Sequence, residues 1–151
     1  MNNTQHDFED DKGPVPAHQH PNGGGWVADT AFVAETAYVG PNAKVYGHAT
    51  VSDNAMICDN AGVRGNAKVS GDAVVGGNAR VFNDAKVFNE AWVFENAWVF
   101  DNAEVCGRVK VYGNAWVYDN AEAFGRAKVF GNARVYGNTT VCGYARVHPV
   151  D

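Results

Sequence analysis

The chain has 151 residues, and its 46% apolar content is enough for one packed domain and too high for a disordered chain. Valine and alanine supply most of that fraction and leucine is absent, which excludes an amphipathic helical bundle. Net charge is −5, and the twelve lysines and arginines are spread without forming a run, which argues against a nucleic-acid surface.

Residues 1–25, MNNTQHDFEDDKGPVPAHQHPNGGG, are acidic and carry Pro14, Pro16 and Pro21 before a glycine run. Two forms are open for this segment: a flexible tail, or a cap over the first turn of whatever follows. His18 and His20 in AHQH point to the same side of an extended chain and form a candidate metal pair without a further identified ligand.

From Trp26 the sequence divides into twenty-one uninterrupted hexads, from WVADTA through KVYGHA and KVFGNA to RVHPVD. Position two is Val in nineteen of them, with Ile57 and Ala123 as exceptions, and position six is Ala except at Val109, Thr139 and Asp151. Alternate residues of an extended segment share a face, so the Ala of one hexad and the Val two residues later point inward, and positions one and three point outward. Positions four and five, most often Gly-Asn, Asp-Asn or Gly-Asp, tolerate left-handed backbone angles and turn the chain. One strand and one turn cannot bury an apolar face alone, so each unit needs its neighbours, as in a solenoid. At the far end, Pro149 without an N–H and Val150 in place of the turn Asn read as a stop against end-to-end stacking.

An aliphatic residue followed four positions later by a small one, as in Val45 with Ala49, Val69 with Ala73 and Val129 with Ala133, resembles the phrase of the hexapeptide-repeat superfamily. The resemblance covers residues 26–151 and implies an all-β fold: a left-handed parallel β-helix solenoid of three hexads per triangular turn, about seven turns and roughly 34 Å long at strand spacing. Phrases such as GNARV and GNAKV, preceded by HPNGGGWVADTA, look like uncharacterised hexapeptide proteins of bacteria and their phages.

Eighteen residues per turn sort the outward positions onto three faces. The first face gathers Phe82, Phe100, Tyr118 and Tyr136 at position three and Trp98 and Trp116 at position one, bracketed by Arg80 and Arg134. Six rings on one face form a larger patch than soluble monomers expose, and aromatic anchors with arginine are the composition of an interface. These eight residues are the candidate binding surface, for a second copy in a dimer or trimer, or for a host or phage protein; a self-contained ladder of stacked rings without a partner is the other reading. The Asn column at position five, for example Asn102, Asn120 and Asn138, reads as stacked amides that satisfy one another.

The superfamily includes acyltransferases with a histidine base at a subunit boundary, and His48, replacing a corner Asn in KVYGHA, is the candidate such residue here. No loop interrupts the hexads to cover a cofactor, as those enzymes have. The three-histidine zinc site of γ-class carbonic anhydrases is not reproduced either, because His48 and His148 fall about five turns apart. Cys106 and Cys142 share a face two turns apart, beyond disulfide reach. Three cysteines without CxxC, and no apolar run of membrane-span or signal-peptide length, place the protein in the cytoplasm, away from membranes. The expectation is a rigid, non-catalytic binding or structural module without a cofactor, with an acyltransferase near His48 as the alternative. In a phage, such a surface would serve to block a host defence complex with little loss of entropy on binding.

Overall fold

The computed structural model describes residues 4–149. Among them are twenty-three strands and no helix. After β1 (Gln5–Asp7), β2 (Pro14–Gln19) and β3 (Trp26–Ala28), two-residue strands recur every six residues from Phe32–Val33 to Arg146–Val147. Strands eighteen residues apart pair in parallel, as Val81 does with Val99 and Val99 with Val117. Three sheets result, each holding seven of these strands, and together they make a parallel β-solenoid of about seven triangular turns.

The inward and outward assignment follows the hexad. From Val39 to Val129 every position-two side chain, Ile57 and Ala123 included, is fully buried, and the position-six alanines from Ala37 to Ala127 are buried with them. The interior is a column of valines and alanines with little tolerance for volume. Besides Ile57, two exceptions fall in successive coils: Val109 replaces Ala in one and Ala123 replaces Val in the next, and both are completely buried.

Corners are formed by position four, and here the structure refines the sequence reading. From Gly47 to Gly143 the left-handed residue is the fourth, as in Gly65 (φ +68°), Asp101 (φ 56°) and Asp119 (φ 58°), and not the Asn that follows. Glycine suits this position because a Cβ on Gly65 would approach the Asn83 nitrogen to 2.8 Å. Where a carboxylate residue takes that left-handed angle instead, its side chain reaches the next coil. Gly71, Gly77, Gly113 and Gly137 donate their N–H groups to Asp53, Asp59, Glu95 and Asp119 at 2.9–3.0 Å. This charge-assisted bond offsets the strain of a non-glycine residue in that region.

The expected ladder of mutually bonded Asn amides at Asn102, Asn120 and Asn138 is not formed. Asn102 and Asn120 instead donate their backbone N–H groups to the Asp119 and Gly137 carbonyls at 2.8 and 2.9 Å. Among the described residues the one Asn–Asn amide bond joins Asn78 to Asn96 at 3.3 Å. Corner cohesion comes from backbone bonds and position-four carboxylates, which leaves the Asn side chains in solvent.

Residues 4–25 fold against the first turn. β1 pairs antiparallel with β2, and β2 antiparallel with β3, so that the first sheet has nine strands. Pro16 lacks a donor, yet its carbonyl accepts from Asp29 N–H at 2.9 Å, which suits a proline in such a strand. The hairpin curls over the outer surface of the first sheet: His6 stacks on Trp26 with centroids 4.5 Å apart, and Phe8 on Tyr46 at 4.7 Å. Phe8 is 3% exposed and makes a second small core with Ala17 and Ala28. Beyond it, the loop before Trp26 lies against the first coil, where Gly25 N–H donates to the Val39 carbonyl and Val39 N–H to Asn22. At the other end Pro149 is the last described residue; Val150 and Asp151, part of the expected stop signal, lie outside the described residues.

Candidate functional site

All eight residues of the candidate binding surface fall on the first sheet. At position three, Phe82, Phe100 and Tyr118 stack with centroids 4.8 and 4.9 Å apart and planes within 1°, and Tyr136 continues the column at 5.6 Å. At position one, Trp98 and Trp116 stack at 4.9 Å, tilted 2°. The columns meet edge to face, Phe82 with Trp98 and Phe100 with Trp116, at 77° and 78°. Both arrangements suit the aromatic quadrupole.

Arginines close the stacks. Arg64 lies 4.2 Å over Phe82, Arg134 lies 4.2 Å over Trp116 and Arg80 lies 5.6 Å from Trp98. Arg134 is further held by its Nη1 donating to the Asn114 carbonyl at 2.9 Å. Much of the ring area is consequently spent on neighbouring rings. Phe82 is only 9% exposed, whereas Tyr136, at the C-terminal end of its column, is 55% exposed. The open patch is therefore narrower than six outward rings suggest, and it widens toward the C-terminal coils.

Arg64 was not among the eight candidates although it stands in line with the ring column; its planar head takes the place of a ring. A comparable stack forms on the third sheet, where Phe94, Tyr112 and Phe130 follow at 5.0 and 5.3 Å and His148 continues at 4.8 Å.

The histidines do not converge. His48 is exposed at its corner, where its backbone N–H donates to the Gly65 carbonyl at 2.8 Å. Its side chain lines a recess of about 320 Å³ under the hairpin with Phe8, Asp10, Val15, Asp29 and Tyr46. His18 pairs with Asp29 at 2.8 Å, while His20, 4% exposed, bonds the Ala37 carbonyl through Nε2 at 2.9 Å. The two tail histidines are thus engaged with separate partners. Among the described residues no three His, Cys, Asp or Glu side chains are grouped to hold a metal ion.

Cys58, Cys106 and Cys142 are free thiols, and burial pushes the Cys58 and Cys106 thiols up from their ordinary range. Burial of the His6 imidazole against Trp26, with the Lys44 ammonium nearby, holds it below its ordinary range. The undocked hairpin then binds a proton more readily than the docked one, so docking stability is lost as pH falls through the ordinary histidine range and is retained above it. Hydrogen exchange of residues 4–19 is expected to accelerate between about pH 8 and about pH 5, after correction for intrinsic rates, and His6→Phe, which keeps the stacked ring, is expected to remove most of that dependence. Equal slopes in both proteins would remove His6 as the cause.

No helix in the described residues is long and apolar enough to cross a membrane. No curated protein and no solved structure matches the chain. Residues 127–148 match the family model described as YdcK Beta solenoid repeat, and this match, together with the seven stacked turns around a valine and alanine interior, makes the chain a repeat β-solenoid.

Proposed function

We propose that the protein is a rigid, non-catalytic binding module that associates with a second copy of itself through the aromatic half of its first sheet, in the cytoplasm. The observation that carries this reading is the locked double stack from Phe82 to Tyr136, with Trp98 and Trp116 at 4.9 Å and Arg134 fixed beside them. Rings already held by their neighbours lose little rotamer freedom on docking, and aromatic and arginine side chains are the ones that anchor interfaces. Left-handed coiling of the hexapeptide type belongs to the same reading. A phage or host protein docking on this face is the heterologous form of it.

Light scattering tests the reading. Wild type is expected to show at least twice the monomer mass, and Trp98→Ser with Trp116→Ser is expected to reduce it to the monomer while the far-ultraviolet spectrum is kept. A monomeric wild type, or an unchanged mass in the double variant, would refute self-association through this face.

The recess beside His48 favours one second reading, an acyltransferase that uses this imidazole as base, since Tyr46 and Phe8 give the recess an apolar wall. Calorimetric titration with acetyl-CoA separates the two. Micromolar binding abolished by His48→Ala would replace the binding-module reading; absence of heat would leave it standing.

A further inference from the structure

Between the hairpin and the ring stacks, the first sheet carries a gap. Position one along this sheet runs Trp26, Lys44, Gly62, Arg80, Trp98, Trp116, Arg134 in register. Each member except Gly62 projects a long or planar side chain outward. A Cβ built on Gly62 would meet nothing within 4 Å. The result is a recess of about 160 Å³, lined by Phe8, Glu9, Lys44, Tyr46, Asn60, Gly62, Arg64 and Arg80.

Three cations thus border one small space. Among the described residues none of the three is in an ion pair: the pairs formed are His18 with Asp29 and Arg108 with Glu90. Arg64 and Arg80 both lean toward the rings on their C-terminal side, Phe82 and Trp98, which leaves the Gly62 level open. The one carboxylate at the rim is Glu9, which is exposed. The Lys44 and Arg80 strands are two spacings apart, about 9.6 Å, so the Gly62 level lies one strand spacing, about 4.8 Å, from each strand, the spacing of a stacked pair.

We infer that this recess is a binding site for a small aromatic carboxylate, whose ring takes the missing place in the stack at Gly62 and whose anionic group is held by Lys44, Arg64 and Arg80. The recess shares Arg80 with the candidate association face, while Gly62, Lys44 and Arg64 lie outside that face, so loss of benzoate in Gly62→Val reads the recess alone. Planarity is required by the walls, since the Phe8 and Tyr46 rings and the Arg64 guanidinium present faces or edges to the space. Negative charge is required by the three cations.

Benzoate is the probe, with benzyl alcohol as the ring without charge and inorganic phosphate as the charge without a ring. Titrated into the full chain and followed by amide chemical shifts at Gly62, Arg64 and Arg80, benzoate is expected to bind at least tenfold more tightly than either control, the discrimination of about one charge-assisted bond. Gly62→Val places a strand-favouring side chain in open space, so it is expected to fold normally and to lose benzoate at least tenfold. Arg64→Gln with Arg80→Gln leaves the gap intact and is expected to lose a similar factor. Absence of benzoate binding, equal binding of phosphate, or undiminished binding in either variant would each overturn the site.

Discussion

Replacing Ala97 with leucine is expected to destabilise the solenoid by about 3 kcal/mol or more, at the upper end of overpacking costs. Ala97 is fully buried and stands in a column with Ala79, Ala115 and Ala133, so the added carbons face alanines above and below. The backbone has no room to yield. Arg80 N–H donates to the Ala97 carbonyl at 3.0 Å and Trp98 N–H to the Ala115 carbonyl at 3.0 Å, and moving Ala97 outward breaks one ladder or the other. For a chain of this size the melting temperature is expected to fall by roughly 6–12 °C. Lys86→Leu, at an exposed position one, is the control and is expected to stay within about 0.5 kcal/mol of wild type. Equal melting of the two variants would mean that position six does not face the interior.

Phe8→Ala has an effect of comparable size but confined in space. The lost ring is buried among Ala17, Ala28, Val15 and Tyr46, and truncating a buried phenylalanine costs about 3–5 kcal/mol. In a solenoid each turn contacts only its neighbours, so the cost falls on hairpin docking and fades along the axis. Hydrogen exchange is expected to reach solvent-like rates in β1 while Val99 and Val117, several coils away, keep their protection. Unchanged protection of β1 would show that strand pairing alone holds the hairpin; uniform loss throughout would show that the hairpin nucleates the whole solenoid.

The solenoid was legible because one six-residue period repeats without interruption, and only an interior of valine and alanine explains two such uniform columns. Stacking then follows from arithmetic, and the eighteen-residue spacing brought all eight candidate residues to one sheet. Less legible was how far their rings stay open to solvent. That depends on side-chain rotation: a ring lying flat on its neighbour hides its face, as Phe82 does, while Tyr136 at the end of its column does not. The hairpin was hidden for another reason. Residues 4–25 carry no period, Pro14 and Pro16 weaken a strand reading, and the contacts that fix them, His6 with Trp26 and Phe8 with Tyr46, join residues distant in sequence. At the corners, Gly-Asn and Asp-Asn were read as a unit, although only the first member adopts the left-handed angle.

The position-four carboxylates give the molecule a polarity. In each of the five cases the side chain reaches from one coil to a backbone amide eighteen residues further on, as Asp101 does to Asp119. Such a clasp survives the gain or loss of one whole coil, because the donor returns to the same corner, and the molecule lengthens or shortens by about 4.8 Å with its decoration still aligned. Gain or loss of a single hexad keeps the interior intact but turns everything beyond it by one face, which would carry the tryptophans away from the cations. The prism therefore tolerates change in its length far better than change in its phase.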